Sequence, residues 1–232
     1  MSEHETHAPF IVLEGIDGAG TTTQSAILKE RFAASGQAAV LTREPSDGPI
    51  GVMIRQMLSR RIVLPVDATR GGIQEPMTRQ TLALLFAADR LDHVAATIDP
   101  ASRAGKPVIS DRYYHSSLAY QGDVEAQEDG TERVDYDWIL SLNSRARVPD
   151  ITFFLEIDIE TSLERLGRRA ARDIYETREK LERLITRYNE VIALLEERGQ
   201  PIVKLDATAS IDALSQQIWD RVTALPASRT SS

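Results

Sequence analysis

The 232-residue sequence predicts an α/β fold, a parallel five-stranded sheet with helices on both faces. Three observations carry that prediction. Short apolar runs alternate along the chain with stretches of helical period. The runs are almost continuously apolar, as strands covered on both faces must be. A glycine-rich turn joins the first run directly to a helical stretch. A composition of 42% hydrophobic and 27% charged residues suits a chain that buries a core of this size.

Phe10 to Leu13 is the first strand, and Thr21 to Ser35 follows as a helix that Gly36 stops. Ala39 to Leu41 is a short second strand. Thr78 to Thr97 carries Leu82, Leu85, Phe86 and Leu91 at helical spacing. Pro107 to Ser110, Ile151 to Leu155 and Ile202 to Leu205 complete the strands. Further helices are expected from Glu160 to about Ala171, from Arg178 to Arg198 and from Ile211 to Leu225. One domain is expected over residues 9–225, with loose ends at 1–8 and 226–232. In such sheets ligands bind beyond the carboxyl ends of the strands, and the chemically loaded stretches below each follow a strand.

Composition removes several classes. With 27 basic and 35 acidic residues the formal charge is −8, which argues against a nucleic-acid polymer as partner. No apolar run approaches the roughly 18 residues that span a bilayer, so no membrane partner is expected. Met1 to His7 is polar and lacks a signal core. The absence of cysteine excludes disulfides, thiolate zinc sites and a cysteine nucleophile, and His4, His7, His93 and His115 have no metal-ligand spacing. A cytoplasmic protein is expected.

After the first strand come Gly15, Ile16, Asp17, Gly18, Ala19, Gly20, Thr21, Thr22 and Thr23. The spacing is that of a phosphate-binding loop, G-x-x-x-x-G-K-[ST], set between a strand and a helix. Its glycines let consecutive N–H groups turn inward, and the helix N-terminus adds partial positive charge. Thr22 holds the hydroxyl position that ligates Mg²⁺. Thr21 stands where lysine is expected, and threonine offers the β/γ-phosphates a neutral hydrogen bond in place of a charge. After the third strand come Asp111, placed for Mg²⁺ or its waters, and Arg112, able to grip a phosphate bidentately. Taken alone, that pair is common and reads more readily as a surface ion pair.

The run from Asp111 through Arg112, Tyr113, Ser116, Ser117, Tyr120 and Gln121 to Gly122 resembles the D-R-Y-x-x-S-S-x-A-Y-Q-G signature of thymidylate kinases. Glu14 to Gly20 resembles that family's E-G-x-D-G-A-G loop, and Thr42 to Pro45 its T-R-E-P segment. Leu85 to Arg90 with His93 resembles its L-F-A-A-D-R-x-x-H helix. Trp138 to Asn143, Pro149 with Asp150, and the Asp206–Ala207 turn also fit. The resemblance extends over about residues 9–225 and implies a P-loop nucleoside-monophosphate-kinase fold with a mobile lid at about 165–177.

It further implies transfer of the ATP γ-phosphoryl group to dTMP, with Mg²⁺, in dTTP synthesis, by a homodimer. Residues 15–23 with Asp206 and Ala207 would hold ATP, and Thr22 and Asp111 the metal. Asp17 would help place the acceptor phosphate. Glu44, Pro45, Arg55, Phe86, Arg90, Arg112, Ser116, Ser117, Tyr120 and Gln121 would bind dTMP. Within that set, Phe86 would stack on the thymine and Arg90 would meet its carbonyl edge, one helical turn later on the same face. From periodicity alone Phe86 is equally a core residue. Arg168, Arg169 and Arg172 of the lid would close over ATP and offset the absent lysine. The lid departs from the commoner D-R-x-E ending, because Ile174 follows Asp173.

Two other readings stand beside this one. A related nucleoside or nucleotide kinase would act on a different acceptor, and a neutral hydroxyl acceptor would need a general base. A nucleotide-binding protein with impaired catalysis would carry Thr21 as the mark of that loss.

Overall fold

The computed structural model describes residues 6–59, 61–62, 79–122, 134–167, 174–226 and 228–229. Five parallel strands form the main sheet in the order β3 (Val40–Arg43), β4 (Val108–Asp111), β2 (Phe10–Glu14), β5 (Ile151–Glu156) and β6 (Ile202–Asp206). The predicted architecture is therefore present. A separate two-residue antiparallel pair joins β1 (Thr6–His7) to β7 (Ser228–Arg229).

Strand β2 lies at the centre and is buried over its whole length. Its side chains alternate between two cores, as the two-residue period requires. Ile11 and Leu13 face a cluster that includes Leu28 and Phe32 of α1 (Thr21–Ala34) and Leu214, Ile218 and Val222 of α9 (Ile211–Thr223). Phe10 and Val12 face another, with Ala83 of α3 (Arg79–His93), Leu118 of α5 (Tyr114–Gln121) and Ile139 of α6 (Tyr136–Leu142). The long helix α8 (Ile174–Glu197) serves both clusters, Tyr188 and Ile192 in the first, Val191 and Leu195 in the second.

The expected elements shift in instructive places. The second strand runs through Thr42 and Arg43 because each pairs with β4, opposite Ser110 and Asp111, so the ladder carries polar residues that apolarity alone would exclude. The 78–97 helix ends at His93 in a π-helical turn, Val94–Ile98, and continues as α4 (Asp99–Arg103). Helix α7 (Ile159–Leu166) begins at its cap Asp158, whose side chain accepts from the Thr161 N–H at 2.8 Å, and stops at Gly167, where φ is 59°. Helices α2 (Pro49–Leu58), α5 and α6 were not expected.

Candidate active site

The carboxyl ends of β2 and β4 deliver the chemistry. Gly18 and Gly20 have φ of 87° and 92°, the left-handed region that glycine enters without a Cβ penalty. A Cβ at Gly18 would meet the Ser162 carbonyl oxygen at 3.0 Å, whereas one at Gly20 would meet nothing within 4 Å. Gly18 therefore packs against α7, and Gly20 opens onto free space at the N-terminus of α1. That helix start has no side-chain cap, so its N–H groups remain available to an anion. The loop lines a cleft of about 580 Å³ whose other walls include Arg112, Arg165, Ala207 and Leu214.

Thr21 is only 5% exposed. The hydroxyl of Thr22 donates to Asp111 Oδ2 at 2.5 Å, while Asp111 Oδ1 is buried without a partner among the described residues. A hydroxyl beside a carboxylate with an unsatisfied oxygen is the hard donor set that suits Mg²⁺, so these two residues fit the ion.

Arg112 is the one non-glycine among the described residues with positive φ, at 75°. Sparsely populated backbone of this kind persists where surrounding contacts fix it. Its Nη1 donates to the Gly15 carbonyl at 2.7 Å and to the Tyr188 hydroxyl at 3.1 Å, and its Nη2 to Asp17 Oδ1 at 2.6 Å. The Asp17 carboxylate is 62% exposed and the Arg112 side chain 20%, so the pair faces the cleft. The Arg112 guanidinium also lies over the Tyr120 ring, 5.7 Å from its centroid.

Beneath this pair lies fully buried Glu14. Its Oε1 accepts from the N–H groups of Tyr113 at 2.7 Å and Ser116 at 3.2 Å, and its Oε2 from the hydroxyls of Ser116 at 2.7 Å and Tyr188 at 3.2 Å. Burial pushes its carboxyl up to about 7, against the opposing pull of Arg112 and these donors. His115 Nδ1 lies 3.6 Å from Glu14 Oε1, and burial drives that imidazole down to about 3.

On the acceptor side, Arg90 is 1% exposed and makes four side-chain hydrogen bonds around Glu44. Its Nε and Nη2 donate to Glu44 Oε2 at 2.8 and 2.6 Å, its Nη1 to Asn143 Oδ1 at 2.5 Å, and its Nη2 also to the Ser117 hydroxyl at 3.0 Å. His93 joins the network, Nδ1 at 3.3 Å from Glu44 Oε1 and Nε2 at 2.7 Å from Thr42 Oγ1. The Glu44–Pro45 peptide is cis. Arg55 donates to the Pro45 and Ser46 carbonyls, both at 2.6 Å, and so holds that bend. Phe86 is half-buried and belongs to neither core cluster among the described residues. Gln121 is 7% exposed with its Oε1 buried and without a partner among the described residues.

Across the loop, Asp206 Oδ1 accepts from Thr208 N–H at 2.8 Å, and the Ala207 carbonyl accepts from Arg165 Nη2 at 2.8 Å. Arg165 Nη1 reaches the Gly18 carbonyl at 3.3 Å. The structure thus brings together Asp17, Thr22, Asp111 and Arg112 at the loop, and gathers Glu44, Arg90 and Ser117 in a second network. Arg168, Arg169 and Arg172 lie outside the described residues. Sequence reasoning missed Tyr188, which sits in an ordinary helical stretch without a distinguishing pattern, and quoted Asn143 only at the end of a motif and Arg165 only at the start of the expected lid. It quoted Glu14 only as part of a motif and His93 only beside one.

A sequence model of the thymidylate kinase family matches residues 13–218. A protein from Thermococcus kodakarensis named "Probable thymidylate kinase" is 40% identical over 178 residues, covering 76% of this chain and 80% of its own. One of the same name from Thermococcus onnurineus is 36% identical over 90% of this chain and 94% of its own. A "Thymidylate kinase" from Halothermothrix orenii is 34% identical over 92% and 95%.

Proposed function

The chain belongs to the thymidylate kinase family and catalyses phosphoryl transfer from ATP to dTMP, and we propose how its own residues divide that work. The carrying observation is the adjacency of two pairs, Thr22 with Asp111 and Arg112 with Asp17, at the open end of the phosphate loop. ATP lies with its phosphates over residues 15–23 and its base toward the Asp206–Ala207 turn. The N–H groups at the start of α1 hold the β- and γ-phosphates. Thr22 and Asp111 would hold Mg²⁺, which when bound neutralises charge on those phosphates.

In this reading dTMP lies between α3 and α5. Phe86 stacks on the thymine, and Gln121 and Ser117 face it. Arg90 is held by Glu44, Asn143 and Ser117, and its second Nη1 hydrogen is the donor left for the base edge. Tyr120 flanks the sugar, while Arg112 and Arg55 face the acceptor phosphate. The phosphate oxygen that attacks is already anionic near neutral pH, so no general base is needed. Arg112 aligns it, and Asp17 fixes Arg112. With Thr21 buried and neutral, Arg168, Arg169 or Arg172 supplies the missing charge from a lid at about 165–177. Residues 9–225 act as one kinase domain in the cytoplasm.

A homodimer is part of the same reading. Leu84, Ala88, Leu91 and Ala95 are all exposed and follow one another at helical spacing along α3 and the turn after it, with Val52 of α2 also exposed. That apolar stripe is the proposed contact.

Steady-state ADP formation with dTMP, dUMP, dCMP, dGMP and thymidine tests the acceptor assignment. The highest kcat/KM is expected with dTMP. A preference for thymidine or for another monophosphate would move the chain to a different acceptor.

A further inference from the structure

The buried carboxyl of Glu14 is used by none of the steps above, yet its contacts join the two halves of the site. It is the last residue of β2, immediately before the phosphate loop. Helix α5, which carries Ser116, Ser117, Tyr120 and Gln121, has no side-chain cap of its own, since its N-cap residue is Tyr113. Glu14 Oε1 accepts instead from Ser116 N–H, the third-position donor that a local Ser, Asp or Asn cap normally satisfies, and from Tyr113 N–H, the donor that the Glu or Gln of a capping box normally satisfies. Those partners are 99 and 102 residues away in sequence. Oε2 accepts from the Ser116 and Tyr188 hydroxyls, and Tyr188 in turn accepts from Arg112.

We propose that Glu14 is a positioning residue, an N-cap supplied in trans that registers the acceptor helix α5 and Arg112 against the phosphate loop. The inference rests on the kinase reading above. A strand that ends in the donor-phosphate loop and also caps the acceptor helix fixes the distance between the two reactants. In-line transfer is sensitive to that distance at the scale of about an ångström. The cap needs an acceptor oxygen on Oε1 and not a charge, which separates two substitutions. Glu14→Ala removes the acceptor, leaving the buried Tyr113 N–H unsatisfied and the Ser116 N–H with only the Tyr113 carbonyl at 3.2 Å. Glu14→Gln keeps it, its amide oxygen facing the N–H groups and its NH₂ facing hydroxyls that can accept.

The test combines steady-state kinetics with amide hydrogen exchange on purified wild type, Glu14→Ala, Glu14→Gln and Glu14→Asp. Glu14→Ala is expected to lower kcat by about tenfold or more while KM for ATP stays within about twofold. Glu14→Gln is expected to keep kcat within about threefold of wild type. Exchange over residues 113–121 should accelerate in Glu14→Ala and not over α1. Should Glu14→Ala fail to fold, Glu14→Asp, which draws the oxygens back by one methylene, must show the same faster exchange in α5. A folded Glu14→Ala or Glu14→Asp with wild-type exchange in α5, or Glu14→Gln losing as much turnover as Glu14→Ala, would overturn the cap. No turnover by wild type would instead sink the kinase reading, and the exchange comparison would still decide the cap.

Discussion

Glu14 and His115 sit 3.6 Å apart and titrate in opposite senses. The Glu14 carboxyl rises from 4.5 to about 7 on folding, so its contribution is fully present below 4.5 and is lost as pH rises through about 7. The His115 imidazole falls from 6.5 to about 3, so its contribution is present above 6.5 and is lost as pH falls toward about 3. Between 4.5 and 6.5 the two slopes oppose each other. Thermal melts across that window should be nearly flat in wild type where these groups are concerned. In Glu14→Gln stability should rise with pH, and in His115→Asn it should fall. Parallel pH profiles for all three proteins would contradict the assignment. A second prediction concerns Arg112, whose Nη groups tie the Gly15 carbonyl to Asp17. Arg112→Lys keeps a charge and loses the fork, and should lower kcat by about 10²-fold or more, read by steady-state kinetics. None of these arrangements was legible in the sequence. Residue types and spacing proposed Thr22, Asp111 and Arg112 for phosphate or its metal, and the family resemblance added Asp17. Only tertiary contacts reveal that Glu14, Tyr188 and Asn143 hold them or their neighbours.

At the scale of elements, legibility followed burial pattern. Strands β2, β4 and β5 are apolar because they are covered on both faces, and they were readable to within a residue or two. Helix α5 was not, because it buries Tyr114, His115, Ser117 and Gln121 among its hydrophobic residues and so lacks an apolar stripe. Its cap comes from a distant strand, so the local start signal is missing as well. Helix α2 hid for a different reason: its anchor is a loop. The Ser46 N–H and hydroxyl donate to Asp89 of α3 at 2.7 and 2.6 Å, and Gly51 lies so close that an added Cβ would stand 2.1 Å from the Ser46 carbonyl oxygen. Gly51→Ala must therefore displace backbone, and should cost about 1–3 kcal/mol in urea unfolding. It should also weaken dTMP binding more than ATP binding, since Arg55 and Pro45 move with the same loop. Equal stability of the variant and wild type would show that the contact relaxes without cost.

For the whole molecule, the sheet separates two sites by strand order. The phosphate loop leaves β2 at the centre, the T-R-E-P bend leaves edge strand β3, and β4 between them carries Asp111, which meets Thr22 through its side chain and Glu44 N–H through its carbonyl, and Arg112, which reaches the loop. That arrangement explains why four sequence motifs scattered from residue 14 to residue 122 converge. The exposed stripe of Leu84, Ala88, Leu91 and Ala95 begins on α3, the helix that also carries Phe86 and Arg90, so the proposed dimer contact and the proposed dTMP site would share that helix. Leu91→Glu should yield a monomer by sedimentation, and a monomeric wild type would remove the stripe as an interface. The measurement that bears most directly on the account is product analysis of purified enzyme incubated with Mg·ATP and dTMP. Equimolar dTDP and ADP are predicted, with no ADP from ATP alone. ATP that stays intact, or ADP that forms without dTDP, would contradict it.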